Sequence, residues 1–364
     1  MNMKKIGIIT INDFSNYGNR LQCYAVQEYL REKGFIVENI YNKYSADNKF
    51  ILVLKSVYWC FQSISSLKII KKRMDNFSKF NQLIQFSSEK IINGKYSKNL
   101  NTLYDYFVTG SDQVWNPMDS GRSETDFLAF ASDGKKVSFS ASMGVDTIPA
   151  EKESEYKRLL SDFKSISVRE ESAKRIIERI TGRNDVEVLV DPTMLLNIEI
   201  WNSVMEKPNL NEYFDLNYIL VYFLGESKEY RKLIDHYANE MNCQVINIYD
   251  KRSTWYSCGP QHFLYLIKHA QLICTDSYHS AIFSFLFNRP FVMFGREHRK
   301  MNMNTRMTSF LEKFHLSDRR YSQEKSLNEY LEWDYSTGYG VLKNEKKKAE
   351  IFFRNVYDDI GEYV

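Results

Sequence analysis

Three short polar segments, each directly after a predicted strand, carry side chains that could take part in chemistry. In open α/β sheets, ligands bind beyond the carboxyl ends of the strands, where the chain turns into a helix. We therefore expect the three segments to contribute to one ligand site. They are Asn16-Tyr-Gly-Asn-Arg-Leu-Gln22, Gly110-Ser-Asp-Gln-Val-Trp-Asn116 and Cys274-Thr-Asp-Ser-Tyr-His279.

The first segment has the features of a binding turn before a helix. Gly18 permits a tight turn, and the helix that follows offers free N–H groups to an anion or a sugar hydroxyl. Asn16 and Asn19 are the candidate binding residues. An ordinary capped turn explains the same residues, so this segment alone leaves both interpretations open.

The second segment crowds polar groups and an indole into one turn. Asp112, Gln113 and Asn116 can hydrogen-bond to sugar hydroxyls, and Trp115 can offer an apolar face to a pyranose ring. The alternative is a hydrogen-bonded turn in which Trp115 covers the core.

The third segment places a histidine at the beginning of a predicted helix. His279 follows Asp276 and Ser277 there, at the edge of the predicted sheet. Histidine is the side chain most often used for general acid–base catalysis, although a lone histidine is also common as a structural residue. We take His279 as the candidate acid or base, and Asp276 and Ser277 as candidate binding residues.

Arginines near the predicted cleft suit an anionic substrate. Arg169 ends a strand in Ser-Val-Arg-Glu, whereas Arg296, Arg299 and Arg306 lie in the loop after the strand at 291–294. A guanidinium group pairs in a bidentate way with a carboxylate or a phosphate. Solvated surface arginines are the alternative for the residues of the loop.

The order of predicted elements indicates two α/β lobes that position these segments. A strand, a helix ending at Gly34 and a second strand form a βαβ unit at the N-terminus, and the same order restarts at Tyr218. We expect an N-terminal lobe over residues 1–200 on the acceptor side and a C-terminal lobe over 201–340 on the donor side. Residues 341–364 are predicted to form a helix that packs back on the lobes.

Composition narrows the class of protein. The 364 residues carry 49 Lys and Arg against 46 Asp and Glu, so the net charge of +3 does not indicate a nucleic-acid partner. Five cysteines without a C-x-x-C pair indicate reduced thiols rather than disulfides or a zinc site. Since the N-terminus reads as a strand rather than a signal peptide, we expect a cytoplasmic protein.

Residues 50–70 are apolar enough to raise the question of a membrane. Their length would suffice to span a bilayer, but two lysines and four serines argue against it. Because Lys71, Lys72 and Arg73 follow, one interpretation is an amphipathic helix on the anionic cytoplasmic face of the membrane. The other is a partly buried helix with a basic last turn.

Taken together, the motifs resemble those of the polysaccharide pyruvyl transferase family, in the branch that carries Gly-Ser-Asp-Gln-x-Trp-Asn. The resemblance covers residues 5–320, and the Gly-Ser-Asp-Gln motif is its most specific part. Besides the three segments, it includes Ser167-Val-Arg-Glu170, Val190-Asp-Pro-Thr193 and Asn304-Thr-Arg306.

The resemblance implies a GT-B-like α/β fold in which two Rossmann-like lobes face a cleft. It also implies transfer of the enolpyruvyl carbons of phosphoenolpyruvate to two hydroxyls of one sugar, with no further cofactor and no metal. His279 would then be the principal acid–base residue, with Asp112 as a second candidate, and Arg169 would bind phosphoenolpyruvate. The acceptor would be a bacterial surface glycan or its lipid-linked precursor.

One position departs from the family pattern. Better-characterised relatives tend to carry an arginine two residues before the motif histidine, where this chain has Ser277. Either Arg306 or Arg296 replaces that arginine, or the donor is different. Two other functions therefore stay open, a glycosyltransferase with a nucleotide-sugar donor and a glycan-binding module without catalysis.

Overall fold

The computed structural model describes residues 3–43, 64–210, 217–225, 229–295 and 305–357. Within these ranges the chain forms two parallel β-sheets, one in each half, with helices packed on both. This arrangement confirms the predicted α/β fold with two lobes. No helix in the described ranges is long and apolar enough to cross a membrane.

The first lobe is built on a seven-stranded sheet. Its inner strands are almost wholly buried, as is typical of parallel strands covered on both faces. The strands are β1 (Lys5–Ile9), β2 (Ile36–Lys43), β3 (Phe86–Ile92), β4 (Tyr106–Thr109), β5 (Lys136–Ala141), β6 (Ser165–Val168) and β7 (Glu187–Val188). All neighbours are parallel, in the order β3-β2-β1-β4-β5-β6-β7.

Within the described ranges, five helices belong to this lobe. The first one begins after Asn16, whose side chain accepts a hydrogen bond from the backbone of Asn19, and the chain leaves it through Gly34 at φ 85°. The helices are α1 (Tyr17–Glu32), α2 (Ile64–Asn81), α3 (Ala150–Ser161), α4 (Glu171–Thr181) and α5 (Ile198–Val204).

The second lobe contains a four-stranded parallel sheet. Its strands are β8 (Tyr218–Tyr222), β9 (Gln244–Asn247), β10 (Leu272–Thr275) and β11 (Phe291–Met293), in the order β11-β10-β8-β9. Its helices are α6 (Arg231–Glu240), α7 (Pro260–His269), α8 (Tyr278–Leu286), α9 (Thr305–Lys313), α10 (Leu327–Leu331) and α11 (Ser336–Tyr357).

Aromatic packing joins the lobes beside the cleft. The ring of Tyr17, at the beginning of α1, stacks on Phe263 of α7 with centroids 4.7 Å apart. Arg73 of α2 donates to the hydroxyl of Tyr17 and to the carbonyl of Tyr256 in the second lobe. Because Arg73 is buried and touches both halves, it holds the first turn of α1 against the second lobe.

The C-terminal helix α11 packs back on the first lobe. Its Phe353 contacts Tyr29 and Phe139, with ring centroids 5.3 and 4.6 Å apart. The ammonium group of Lys346 also donates to the carbonyl of Leu196. Of the segment at 50–70, residues 50–63 lie outside the described residues, and α2 begins at Ile64.

Candidate active site

Polar residues from both lobes line one cavity of about 360 Å³ at the carboxyl ends of the parallel strands. This is where ligands bind in open α/β sheets. The cavity therefore brings together residues that lie as far apart in the sequence as Asn16 and Arg306. Seven of the predicted site residues line this cavity: Asn16, Asn19, Asp112, Gln113, Ser277, His279 and Arg306.

Hydrogen bonds connect the first turn of α1 to Asp112 of the second segment. Asn19 donates its side-chain amide to Oδ2 of Asp112 at 3.1 Å, and its Oδ1 accepts from the backbone N–H of Asp13. Asn16 caps α1 by accepting from the backbone N–H of Asn19 at 3.1 Å. The first and second segments are thus joined by direct hydrogen bonds, as expected for parts of one site.

Asp112 has a strained backbone and a charged environment. Its φ of 72° lies in the left-handed region, which a non-glycine residue rarely adopts. Oδ1 lies 3.8 Å from Nη2 of Arg169 and 3.7 Å from Nη1 of Arg306. Burial by itself raises the pKa of Asp112, but the neighbouring cations, Arg169 foremost, outweigh burial and lower it. Asp112 is therefore an anion between two guanidinium groups.

Arg169 is buried with part of its hydrogen-bonding capacity unused. Its Nη1 donates to Oδ2 of Asp191 at 2.6 Å, whereas Nε and Nη2 have no hydrogen-bond partner among the described residues. Its guanidinium group lies 4.8 Å from the ring centroid of Tyr278. Burial by itself lowers the pKa of Arg169. The neighbouring Tyr278 and Asp191 outweigh burial and raise the pKa above its usual value, so the guanidinium group stays charged. Buried donors without partners are costly, so they indicate a place for a ligand.

Arg306 approaches the same tyrosine from α9. Its guanidinium group lies 5.7 Å from the ring centroid of Tyr278, and its Nε has no hydrogen-bond partner in the described part of the chain. Burial, and next the charge of Arg169, lower the pKa of Arg306 to about 10. A bound anion would offset the repulsion between the two guanidinium groups.

His279 lies in the first turn of α8, where the sequence placed it. Its Nε2 is 3.6 Å from Oδ2 of Asp191 and is buried without a hydrogen-bond partner. A Cβ atom built on Gly18 would lie 2.1 Å from Nδ1 of the same ring. Glycine at position 18 is therefore required for the imidazole to occupy this place.

Four predicted site residues do not line this cavity: Trp115, Asn116, Arg169 and Asp276. Arg169 lines another cavity of about 390 Å³ together with Tyr278 and Arg306. The predicted roles of Trp115 and Asp276 as substrate contacts are wrong. Trp115 has no exposed surface; its ring stacks on Phe127 with centroids 5.4 Å apart, and its indole N–H donates to the carbonyl of Asp126. It is a core residue and does not offer a face to a sugar. Asp276 is also buried, and its carboxylate accepts from the backbone N–H groups of residues 224 and 225. It shapes the loop after β8 and does not line the cavity.

The remaining predictions for the site have different outcomes. Asn116 donates to Oε1 of Gln113 and accepts from the backbone of Met118, so it supports a residue of the lining without lining the cavity itself. Ser277 lines the cavity as the residue before α8. Arg296 lies outside the described residues.

Three residues of the site were not predicted from the sequence. Asp191 pairs with Arg169, Tyr278 lies against both arginines, and Tyr249 of the second lobe lines the cavity. Asp191 belongs to the Val190-Asp-Pro-Thr193 segment, which was noted only for its resemblance. A buried acid beside a proline at a strand end was the available signal for it.

The cavity has the chemistry of an organic ligand site. Within the described ranges, no group of three or more His, Cys, Asp and Glu side chains is arranged to hold a metal ion. The polar atoms of the cavity are instead donors and acceptors suited to an organic anion and to hydroxyl groups.

The architecture and the site together define the class of protein. Two Rossmann-like lobes face one another across a cleft, and polar groups from both lobes meet there, which agrees with the predicted GT-B-like fold. A profile of the polysaccharide pyruvyl transferase family matches residues 16–298. Since this match covers more than half of the chain, the chain belongs to that family and is a transferase.

Solved structures of low sequence identity are similar over almost the whole chain. A UDP-GlcNAc 2-epimerase from Methanocaldococcus jannaschii, in complex with UDP-GlcNAc and UDP, has 14% identity and a TM-score of 0.47, covering 96% of this chain and 99% of its own. HepE from Anabaena, in complex with UDP and glucose, has 9% identity and a TM-score of 0.41, with coverages of 98% and 99%. No curated protein matches the sequence.

Proposed function

We propose that the chain transfers the enolpyruvyl carbons of phosphoenolpyruvate to two hydroxyls of one sugar, forming a cyclic ketal and releasing phosphate. Family membership supports the pyruvyl transfer. The observation that carries the choice of donor is the meeting of Arg169 and Arg306 at the ring of Tyr278, beside His279. We place the chain in the branch with the Gly-Ser-Asp-Gln-x-Trp-Asn motif, which it contains at 110–116.

The two arginines suit a small substrate with two anionic groups. Phosphoenolpyruvate carries a carboxylate and a phosphate, and guanidinium groups pair with both. The unpartnered N–H groups of Arg169 and Arg306 provide the donors that such a substrate needs. Ser277 lines the cavity together with Arg306, so Arg306 can supply the guanidinium group that relatives carry at position 277.

His279 is the group that moves protons in this proposal. An acid protonates the methylene carbon of phosphoenolpyruvate, and a sugar hydroxyl, which gives its proton to His279, attacks the carbon that bears the phosphate. Phosphate then leaves, and the second hydroxyl closes the ketal. Of the two hydroxyl protons, one balances the new methyl group and the other leaves with phosphate. General acid–base help of this kind typically contributes ~10²–10⁴-fold.

Asp112 has a different part in the same reaction. Its low pKa makes it a weak base, and its oxygens already accept from Asn19 and from the backbone of Gln113. We therefore assign it to holding the attacking hydroxyl and to balancing the positive charge that builds on the substrate carbon.

The acceptor side of the proposal rests on the shape of the cleft. The cavity lined by His279 and a second cavity of about 440 Å³ share the side chain of Tyr249. The second cavity has both apolar and charged lining, including Trp255 and Asp250, which suits further sugar units of a glycan. It belongs to the second lobe, so this proposal extends the acceptor over that lobe, whereas the sequence led us to expect the acceptor on the first lobe. A bacterial surface glycan, or its lipid-linked precursor, is the acceptor that we propose.

Mass spectrometry of acceptor glycans tests the proposed function. Purified protein is incubated with phosphoenolpyruvate and a panel of glycans, and the expected result is one added pyruvyl ketal together with released phosphate. His279→Gln lowers the rate of product formation by ~10²–10⁴-fold, whereas His236→Gln, which changes an exposed histidine of α6, leaves it unchanged. Consumption of a nucleotide sugar in place of phosphoenolpyruvate would show a glycosyltransferase instead.

A further inference from the structure

Asp191 is a fully buried carboxylate at the centre of the site. Its Oδ1 accepts from the backbone N–H and the hydroxyl of Thr193, at 3.0 and 2.7 Å. Its Oδ2 accepts from Nη1 of Arg169 at 2.6 Å and from the hydroxyl of Ser111 at 3.1 Å, and lies 3.6 Å from Nε2 of His279. The two oxygens thus have separate surroundings, one holding the local turn and the other facing the catalytic groups.

Asp191 stays ionised in spite of its burial. Desolvation raises its pKa, but contact with His279, the charge of Arg169 and the hydrogen bonds from Thr193 outweigh desolvation and hold the pKa well below its usual range. A permanent anion near one imidazole nitrogen favours a proton on that nitrogen, as a buried carboxylate does in other acid–base sites.

The two nitrogens of the His279 ring have different environments. Nε2 is buried and points to Asp191, whereas Nδ1 lies against Gly18, a residue of the cavity wall. A neutral imidazole donates through one nitrogen and accepts through the other. If the proton is held on Nε2, the accepting lone pair is on Nδ1.

We propose that Asp191 is a positioning residue that keeps the proton of His279 on Nε2, so that Nδ1, beside Gly18, exchanges the proton with the sugar hydroxyl. This inference rests on the proposed function, because it names the reacting atom of the same site. The neutral ring accepts the hydroxyl proton on Nδ1 and becomes an imidazolium, which Asp191 stabilises from the opposite side. The proton later leaves from Nδ1 with the phosphate, and no bond to Asp191 is made or broken.

Replacement of Asp191 by Asn separates the two roles of the carboxylate. Asn keeps an Oδ1 for Thr193, and it replaces only the oxygen that faces Arg169 and His279 by an NH₂ group. We expect kcat to fall by about 10²-fold or more. Asp126→Asn is the matched control, since Asp126 is an equally buried aspartate that lines no part of the cavity. It is expected to keep kcat within about threefold.

A double-mutant cycle shows whether Asp191 acts through His279 or through Arg169. If it acts through His279, Asp191→Asn has little further effect on kcat in the His279→Gln protein. The same loss of kcat in both backgrounds would overturn the inference. A loss of kcat caused by Asp191→Asn in the parent protein but not in the His279→Gln protein supports it. Circular dichroism confirms that each variant is folded, because loss of a buried ion pair lowers the melting temperature.

Nitrogen-15 NMR of the imidazole provides a readout that needs no substrate. The signal of His279 is identified as the imidazole resonance that disappears in His279→Gln. In the full-length parent protein, with the ring neutral, this signal should show the proton on Nε2. Asp191→Asn should remove that preference, and Asp126→Asn should not. A proton found on Nδ1 of the parent protein would refute the role of Asp191 even if pyruvyl transfer is observed. Failure of the proposed function would instead appear as absent transfer with the Nε2 tautomer intact.

Discussion

The imidazole of His279 lies against the backbone of Gly18, so close that a Cβ atom at position 18 would come within 2.1 Å of Nδ1. The two residues belong to different lobes and to the first turns of α1 and α8. Their contact therefore couples the position of the histidine to the way the lobes meet. No sequence motif shows this coupling directly, although both residues belong to segments with polar site residues.

Gly18→Ala should displace the imidazole without unfolding the chain. The added methyl group needs the space that Nδ1 occupies, and a misplacement of about 1 Å can reduce turnover by about 10²-fold. The measurement is kcat together with the melting temperature. Gly340→Ala is the matched control, because a Cβ there meets nothing within 4 Å and the residue lies in helix α11. Equal kcat values for the parent and Gly18→Ala proteins would contradict the packing of this site.

Removal of either guanidinium group should weaken the binding of phosphoenolpyruvate. Arg169→Gln and Arg306→Gln each delete unpartnered donors beside Tyr278, and we expect KM for phosphoenolpyruvate to rise about 10- to 100-fold. Steady-state kinetics measure this change. Arg354→Gln, at an exposed position of α11, should leave KM unchanged. An unchanged KM for both cleft variants would argue for a donor without two anionic groups.

The corrected position of Trp115 leads to a prediction about stability. Trp115→Phe removes the indole hydrogen bond to the carbonyl of Asp126 and leaves unfilled volume beside Phe127. The free energy of unfolding should fall by about 1–3 kcal/mol, whereas kcat and KM should not change. Chemical denaturation and kinetics on the same samples test this. A raised KM for the glycan with normal stability would restore Trp115 as a substrate contact.

Asp126 should make stability depend on pH. Burial raises its pKa from 3.8 to about 6, so the carboxyl binds a proton more tightly in the folded chain. Its contribution to stability is therefore fully present below pH 3.8 and is lost as the pH rises through about 6. Asp126→Asn resembles the protonated form and does not titrate. Its free energy of unfolding relative to the parent should therefore rise with pH, by about 3 kcal/mol in all once the pH is above about 6.

Thermal unfolding of both proteins from about pH 4 to about pH 7.5 measures the difference. Asp133→Asn, at an exposed position of the same lobe, should run parallel to the parent. Parallel curves for Asp126→Asn as well would contradict the raised pKa.

The fold was predictable because its signals are local, whereas the pairing of site residues was only partly so. Strand, turn and helix follow one another in residues 5–32, and the rule for open sheets places His279 and Asp112 at strand ends. The sequence does not show whether an aromatic side chain in a turn faces a ligand or the core, which is why Trp115 was misplaced. The ion pair of Arg169 with Asp191 was missed, because contacts across a sheet have no regular spacing in the sequence.

The exposed face of α2 should bind anionic membranes. Lys68, Lys71 and Lys72 are exposed there, and Leu67 and Met74 on the same helix are 36% and 63% exposed. Each basic residue near an anionic surface contributes about 1 kcal/mol, so replacement of the three lysines by Gln should lower vesicle binding by about 10²-fold. The measurement is co-sedimentation of the full chain with vesicles of phosphatidylcholine and phosphatidylglycerol.

A matched change on another helix separates this surface from net charge. Lys343 and Lys347 are exposed on α11, and their replacement by Gln should reduce binding much less than the loss of an equal number of lysines from α2. Binding should also weaken with added salt, because the attraction is screened beyond about 10 Å at 0.1 M. Met74→Asp should reduce binding further through lost insertion of its apolar side chain. Equal effects of the α2 and α11 changes would show that α2 has no special part, and a lipid-linked acceptor would then have to reach the cleft in another way.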